Sequence, residues 1–241
     1  MSRVLITGAT SGLGYQLMRD YAEQGWEVYA CGRNAAKLES ITQINNVHAV
    51  CFDVTDSEQV HQALENVPDC ELIILNAGSC EYIEHGELDS ALFRRVFETN
   101  FFGVVNCIEA LQAKFRLRTH LVLIGSSADY VPLPRAEAYG ASKAALRYLA
   151  STLSVDLASK GVDVSLVCPG FIETPLTDKN DFAMPCLISV EEASKSVREG
   201  VEKRQREVHF PKRFTLTLKC IALLPLRWQL KLVGKLIRSA T

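Results

Sequence analysis

The sequence predicts an α/β fold in which helices flank a doubly wound parallel β-sheet. Short apolar runs alternate with segments of helical periodicity along the chain, and this alternation is typical of right-handed βαβ units. Most of the runs are apolar at successive positions, as expected for strands buried on both faces of a parallel sheet. The predicted strands are Val4–Thr7, Glu27–Cys31, His48–Phe52, Leu72–Leu75, His120–Ile124 and Val162–Val167.

The segments between these strands carry apolar residues at helical spacing. Four leucines between Leu146 and Leu157 mark one helix, and a second apolar helix is predicted over Val96–Leu111. A chain of 241 residues suits one α/β domain. We therefore predict a single domain over residues 1–211, followed by a basic amphipathic helical tail over residues 212–241.

The composition excludes several classes of protein. A hydrophobic fraction of 48% and a charged fraction of 22% exclude a disordered chain, a collagen-like fibre and a disulfide miniprotein. A net charge of −2 gives no reason to expect nucleic-acid binding. The eight cysteines form no CxxC pair and no histidine pair has zinc spacing, so we expect free thiols and no metal. Without a secretory leader or an apolar run of ~18 residues, a cytoplasmic protein is expected.

A glycine-rich turn, Thr7-Gly-Ala-Thr-Ser-Gly-Leu-Gly14, connects the first predicted strand to the first helical segment. Glycines let the backbone turn tightly and approach a pyrophosphate, and the free N–H groups of a helix start favour that anion. The turn follows a strand and opens a helix, which is the context that a dinucleotide-binding turn requires. Its spacing is TGxxxGxG rather than GxGxxG.

The end of the second strand indicates which dinucleotide is bound. NAD sites usually place a carboxylate there to hold the ribose 2′-hydroxyl, whereas this chain has Gly32 followed by Arg33. A guanidinium can bind a 2′-phosphate through two hydrogen bonds. We therefore predict NADP(H) rather than NAD(H). The alternative is that Arg33 is only a solvated surface charge.

Tyr139 and Lys143 lie four residues apart at the start of the leucine-rich helix and so share one face. A phenol has a pKa of about 10, and a nearby ammonium lowers that pKa by favouring the phenolate. Ser126 and Asn76 follow two other strands at the carboxyl edge of the sheet, where ligands bind in this architecture. Asn100 lies in the predicted apolar helix, where a buried amide needs partners. Together these residues predict a tyrosine acid–base catalyst.

These motifs, in this order, resemble those of the short-chain dehydrogenase/reductase family over roughly residues 3–175. The resemblance implies a Rossmann-type domain with a catalytic tetrad of Asn100, Ser126, Tyr139 and Lys143. It further implies cofactor contacts, besides Tyr139 and Lys143, from Gly8, Ser11, Gly12, Leu13, Gly14, Asp53, Val54, Asn76, Ala77, Gly78, Pro169, Gly170, Ile172 and Thr174.

Two features depart from the family pattern. The serine is doubled, and the family's usual separation between serine and tyrosine favours Ser126, with Ser127 as the alternative. Asp129 and Tyr130 stand where small residues are more usual, so we expect an unusual substrate-facing loop.

The resemblance implies hydride transfer between NADP(H) and a carbonyl or alcohol substrate, carried out by a homodimer or homotetramer. Tyr139 would act as the general acid, Ser126 would hydrogen-bond the same oxygen, and Lys143 would hold the nicotinamide ribose. Asn100 would hold a water that resupplies protons through Lys143. The competing interpretation is a catalytically silent NADP(H)-binding regulatory or membrane-associated protein, against which the intact tetrad argues.

The resemblance also implies a substrate lid at about residues 175–190. The apolar residues of the lid either line the substrate site, which favours a hydrophobic, acyl or lipid-like substrate, or only pack the lid down. These residues are Phe182, Met184, Leu187 and Ile188.

The tail over residues 212–241 carries seven basic residues, and no acidic residue follows Glu207. From Arg227 to Arg238 the cations occupy one side of a helical wheel, and apolar residues such as Trp228 cover much of the rest. Such a helix can lie on an anionic membrane surface. It can also dock on a partner subunit or on the body, or bind an acidic ligand. Peripheral membrane contact is therefore one expectation among these.

Overall fold

A computed structural model describes residues 2–238, with side chains as far as residue 234. Within this range all six predicted strands are present, each within two residues of its expected ends, and a seventh follows them. The strands are β1 (Arg3–Thr7), β2 (Glu27–Gly32), β3 (Val47–Cys51), β4 (Leu72–Leu75), β5 (His120–Ile124), β6 (Asp163–Pro169) and β7 (Glu207–Phe210). They form one parallel sheet in the order β3-β2-β1-β4-β5-β6-β7.

Helices cover both faces of the sheet, which confirms the predicted doubly wound fold. They are α1 (Gly12–Glu23), α2 (Ala35–Ile41), α3 (Ser57–Glu65), α4 (Ser90–Phe97), α5 (Gly103–Leu111), α6 (Glu137–Asp156), α7 (Val190–Glu202), α8 (Lys212–Ala222) and α9 (Leu226–Arg238). Apolar side chains of α1, α2 and α7 pack on one face of the sheet. Those of α3, α5 and α6 pack on the other.

The strand order reverses where β1 lies beside β4. Loops that leave two such neighbouring strands diverge and open a crevice at their carboxyl ends. Here the Thr7 hydroxyl joins the two strand ends, because it accepts hydrogen bonds from the backbone N–H groups of Asn76 (2.9 Å) and Ala77 (3.0 Å). The crevice therefore opens beside the glycine turn.

The predicted continuous helix over Val96–Leu111 is wrong in one respect. A π-helical turn, Glu98–Phe102, separates α4 from α5, with Gly103 N–H bonded to the Glu98 carbonyl. Single wide turns of this kind often mark functional sites. This one contains Asn100, which is fully buried.

Strand β7 is not predicted by the sequence pattern. Its four residues alternate between partly and fully buried positions, and its buried side chains are Val208 and Phe210. A short alternating run at the edge of a sheet gives a weaker signal than the fully apolar central strands. Because β7 ends at Phe210, the predicted tail begins immediately after the sheet.

The tail forms the two helices α8 and α9. Helix α8 is joined to β7 by a bond of 2.7 Å between the Thr215 hydroxyl and His209 Nδ1, and Thr215 is fully buried. In α9, Val233 is buried against the body. The side chains of residues 235–238 and all of residues 239–241, which belong to the predicted amphipathic tail, lie outside the described part. In residues 2–238, no helix has the length and apolarity that crossing a bilayer requires.

Candidate active site

A cavity of about 1090 Å³ opens at the carboxyl edge of the sheet. It brings together most of the residues singled out from the sequence. Those that line it are Gly8, Ser11, Gly12, Leu13, Asn76, Ala77, Gly78, Ser126, Tyr139, Lys143, Pro169, Gly170, Ile172 and Thr174. Those that lie outside its wall are Gly14, Arg33, Asp53, Val54 and Asn100.

The glycine turn has the geometry of an anion cradle. Gly8 (φ +67°) and Gly12 (φ +52°) occupy the left-handed region, which favours glycine. Ser11 precedes α1 without a capping hydrogen bond from its side chain, and the first turn of α1 holds no acidic residue. The N–H groups at the start of α1 can therefore bind an anion. The residues present fit the pyrophosphate of a dinucleotide.

Gly14 serves packing rather than contact with the cavity. A Cβ atom at this position would lie 2.3 Å from the carbonyl oxygen of Gly8. Only glycine allows α1 to pack so closely on the turn that precedes it, which is a recognised role of a glycine in dinucleotide-binding turns.

Asn76 holds the glycine turn in place. Its side-chain Nδ2 donates to the carbonyl oxygens of Thr7 (3.0 Å) and Gly8 (3.3 Å). The side chain therefore links the end of β4 to the turn after β1. Asn76 also lines the cavity, so a ligand there would touch the residue that shapes its own cradle.

Arg33 and Asp53, which were treated separately in the sequence analysis, form an ion pair. Arg33 Nη1 lies 3.3 Å from Asp53 Oδ2, and the Arg33 side chain is 76% exposed. Burial raises the pKa of Asp53, but hydrogen bonds from Thr55 and Arg33 outweigh burial and lower it. Asp53 is thus a carboxylate beside the exposed guanidinium.

Lys143 lines the cavity but is otherwise buried. Its Nζ donates to the backbone carbonyl of Ile124 at 2.8 Å and lies 5.7 Å from the centroid of the Tyr139 ring. Burial lowers the pKa of Lys143 to about 8, because a desolvated ammonium is less stable than a solvated one.

The pKa of Tyr139 differs from the sequence-based expectation. Burial raises it, and a hydrogen bond with Ser126 opposes this increase. The pKa is therefore raised rather than lowered, and the Lys143 ammonium donates its hydrogen bond to the Ile124 carbonyl. The phenol is therefore protonated at neutral pH, which is the form that a general acid needs.

Ser126 and Ser127 are both buried and both line the cavity. Ser126 lies two residues after the end of β5, and its hydroxyl accepts a hydrogen bond from the Ala128 N–H at 3.1 Å. Ser126 is the serine whose hydroxyl influences the pKa of Tyr139.

Asn100 connects the loop after β4 to α6. Its Nδ2 donates to the Ser79 carbonyl (2.9 Å) and to the Ser142 hydroxyl (3.0 Å), while its Oδ1 accepts from the Ser79 N–H (2.7 Å). A Cβ atom at Gly78 would lie 3.3 Å from Asn100 Oδ1 and 3.6 Å from Lys143 Nζ. Asn100 therefore adjoins the site, with its side chain committed to holding the surrounding loops.

A charge network that the sequence pattern does not predict lies behind α6. Arg147, one turn beyond Lys143, binds both oxygens of Asp129 at 2.9 Å. Its Nη1 also lies 2.8 Å from Glu207 on β7, and Glu207 in turn binds Lys219 on α8.

This network explains the unusual loop residues. The Asp129 side chain is fully buried in its contact with Arg147, and the Tyr130 hydroxyl donates to Glu207 at 2.9 Å. Neither residue lines the cavity, so these two side chains bear on the inner contacts of the loop rather than on the cavity surface. Burial raises the pKa of Asp129, and the two bonds from Arg147 limit the increase.

The lid is held by Arg135 and an aromatic contact. Arg135 binds Asp181 of the lid (2.7 Å) and Glu84 (2.6 Å), and the Phe182 ring packs edge-on against Tyr82 with centroids 5.5 Å apart. Phe182 lines the cavity. Among the other apolar lid residues, Ile188 packs against the core beside α7 and Leu187 is exposed. Phe182 thus reaches the cavity, whereas Ile188 packs the lid onto the core.

Several residues that line the cavity belong to none of the sequence motifs. Within the described residues they include Cys80 and Tyr82 after β4, Leu133 before α6, and Phe214 and Leu218 on α8. Cys80 and Tyr82 closely follow the Asn76-Ala-Gly segment. The placement of that segment at the sheet edge could therefore have been used to predict that they line the cavity. Helix α8 gave no comparable signal. No cluster of three or more metal-binding side chains is found in residues 2–238.

The doubly wound sheet with a glycine turn beside its switch point defines a Rossmann-like α/β protein. The short chain dehydrogenase family model matches residues 2–184, and the chain belongs to this family of oxidoreductases.

Individual relatives agree with this assignment. The chain is 32% identical to an uncharacterized oxidoreductase of Myxococcus xanthus over 92% of both chains. It is similar to a short chain dehydrogenase from Burkholderia cenocepacia solved with NADP, with a TM-score of 0.83, 27% identity and coverage of 98% and 97%. A Burkholderia phymatum protein of the family, solved with NAD, has a TM-score of 0.80 at 22% identity over 90% and 92% of the two chains, and shows the fold alone.

Proposed function

We propose that the protein is an NADP(H)-dependent oxidoreductase that interconverts a hydrophobic carbonyl compound and its alcohol. The observation that carries this proposal is the convergence of Tyr139, Lys143 and Ser126 in the cavity that the glycine turn also lines. When bound, NADPH supplies the hydride. The protein's own residues bind, orient and protonate the substrate.

Tyr139 donates the proton that converts the developing alkoxide to an alcohol. Its raised pKa keeps the phenol protonated until the substrate oxygen becomes basic enough to take the proton. The Ser126 hydroxyl donates a hydrogen bond to the same oxygen and stabilises its negative charge. Lys143 holds the nicotinamide ribose, and Asn100 holds the loop that carries Gly78 against Lys143.

The start of α1 holds the pyrophosphate, and the exposed Arg33 binds the 2′-phosphate. To bind the 2′-phosphate, the Arg33 guanidinium must either break its ion pair with Asp53 or contact both groups at once. The high exposure of the Arg33 side chain permits this. Asp53 and Val54 lie on the adenine side, outside the cavity wall. The preference for NADP(H) thus depends on how strongly Arg33 binds the 2′-phosphate relative to the Asp53 carboxylate.

Tyr139→Phe removes the proposed acid while keeping the ring. We expect carbonyl-reduction kcat/KM to fall by at least about 10²-fold, as for loss of a general acid, with NADPH affinity nearly unchanged. Steady-state NADPH oxidation and fluorescence titration measure these quantities. Tyr29→Phe is the matched control, because Tyr29 lies on β2 and does not line the cavity. Ordinary turnover by Tyr139→Phe, or NADPH binding without turnover of any carbonyl by the unmodified protein, contradicts the proposal.

Arg33→Ala removes the proposed 2′-phosphate contact. We expect NADPH affinity to fall roughly 10- to 100-fold, as for loss of a charge-assisted hydrogen bond, while NADH affinity changes little. Because the substitution also frees the Asp53 carboxylate, Asp53→Asn is measured in parallel and is expected to retain the preference for NADPH. An unchanged NADPH-to-NADH ratio in Arg33→Ala argues against the assignment.

We also propose that copies of the chain associate as a homodimer or homotetramer. Helix α6 exposes Tyr148 and Val155, at 74% and 73% of their surfaces, on its outer side. Large apolar side chains exposed together on one helix are typical of subunit contacts. The molar mass measured by light scattering tests this proposal.

The outer face of α9 supports the proposal of peripheral membrane contact. Trp228 and Leu230 are about half exposed, and Arg227 and Lys231 flank the indole ring. Basic groups beside exposed apolar side chains suit an anionic lipid surface.

We expect binding to vesicles that contain phosphatidylserine, weakening as salt screens the charges, and at least tenfold weaker binding for Trp228→Ser/Leu230→Ser. Co-sedimentation measures both. Leu117→Ser, at an exposed leucine outside the tail, is the control. Equal vesicle binding by the tail variant and the control rules out this role for α9.

Glu207 is expected to link stability to pH. Burial raises its pKa, but hydrogen bonds from Lys219, Arg147 and Tyr130 outweigh burial and lower the pKa from 4.5 to about 2. A carboxylate with a lowered folded-state pKa stabilises the protein above its unfolded-state pKa, and the stabilisation is lost as pH falls toward the folded-state value.

The free energy of unfolding of the unmodified protein should therefore exceed that of the Glu207→Gln variant by on the order of 2 kcal/mol near pH 7. This difference should shrink as the pH falls from about 4.5 to about 2. Denaturant titrations across this range measure it, with Glu65→Gln at an exposed position as the control. A difference that stays constant with pH would mean that the network does not hold the charged form.

A further inference from the structure

Part of the cavity wall comes from beyond the segment that the family model matches. That match ends at residue 184. Helix α8 contributes Phe214, Leu218 and Ile221 to the wall, and α9 contributes Val233. Since Phe214, Leu218 and Ile221 are spaced four and three residues apart, they lie on one face of α8.

Apart from Arg213 and Thr217 of α8, which also line the cavity, this wall is apolar, and it is continuous with the candidate catalytic residues. The residues of α8 and α9 pack in one cluster with Leu133, from the loop before α6. Tyr139 and Lys143 line the same cavity. A substrate whose carbonyl reaches Tyr139 can therefore extend over this wall. The total volume of about 1090 Å³ is at the upper end of typical ligand sites, as expected for space shared by two ligands.

The wall is also preformed. Thr215 binds His209 on β7, and Lys219 binds Glu207 in the network that holds Arg147. Thr215 and Lys219 lie on the side of α8 that faces the sheet. The side that carries Phe214, Leu218 and Ile221 is therefore directed to the cavity. Because α8 is already ordered, a bound chain would not have to order it.

We propose that α8 and α9 form a binding site for an aliphatic chain, so that the substrates are carbonyl compounds carried on long apolar chains. This inference rests on the proposed function and specifies its substrate class. The wall offers shape and apolar surface without hydrogen-bonding groups from Leu218, Ile221 or Val233. Along these three residues recognition therefore depends on the buried length of the chain rather than on polar substituents along it.

Burial of each added methylene should raise kcat/KM about threefold to fourfold until the wall is covered. The test measures NADPH oxidation with straight-chain aldehydes from propanal to decanal and with the matching 2-alkanones. We expect kcat/KM to rise with chain length. A flat profile in a protein that reduces the short aldehydes overturns the inference while leaving the proposed function intact.

Two blocking variants locate the chain. Ile221→Trp places a larger side chain in the wall, and Thr217→Trp does so at an exposed position that also lines the cavity and tolerates a larger group during folding. We expect each to lower the decanal-to-propanal ratio of kcat/KM at least tenfold. Leu216→Trp is the control, since Leu216 lies on the same helix, is 50% exposed and does not line the cavity. Equal ratios in the control and both blocking variants overturn the inference.

Calorimetry with 1-decanol and 1-propanol gives a readout that needs no turnover. We expect decanol to bind and the blocking variants to weaken its binding at least tenfold, with Leu216→Trp unchanged. If no carbonyl compound is reduced but this pattern is found, the chain site stands and the proposed function fails. If decanol binds no better than propanol, the chain site is excluded.

Discussion

The burial of one ammonium group constrains the arrangement of the whole site. Lys143 is almost completely removed from water, and its hydrogen bond to the Ile124 carbonyl compensates only part of the cost of desolvation. That cost appears in the lowered pKa of Lys143. The pKa of a buried ammonium changes strongly when a negative charge comes near it. The elements around Lys143 must therefore be held in fixed positions. Two sets of contacts hold α6, which carries Lys143, from opposite sides.

The first set comes from Asn100, whose amide binds Ser79 on one side and Ser142 of α6 on the other. The second comes from Arg147, which binds Asp129 in the turn after Ser126 and Glu207 on β7. A buried ion pair contributes little net stability, because desolvation offsets the attraction, but losing one partner leaves an uncompensated charge. The Arg147 network therefore acts mainly to set position, and it joins the turn after Ser126, helix α6 and helix α8.

The sequence predicted the parts of the fold that repeat a simple pattern. Six strands could be located because their residues are buried on both faces, and the glycine turn could be placed because it joins a strand to a helix. Strand β7 and the π-helical turn at Asn100 could not be predicted in this way. The first is short and half exposed, and the second depends on contacts with Ser79 and Ser142, which are distant in sequence.

The same distinction applies to the site. Tyr139 and Lys143 share a helix face by spacing alone, whereas the direction of the Lys143 ammonium depends on a carbonyl that only the folded chain brings near. Asp129 and Tyr130 looked like substrate-loop residues, but their partners Arg147 and Glu207 turn them toward the protein interior. Since Glu207 also binds Lys219, the charges that distinguish this loop are those that seat α8 beside the cavity. The unusual loop and the apolar wall are therefore two parts of one structural feature. The ion pairs of the loop position α8, and α8 in turn supplies apolar side chains to the cavity wall.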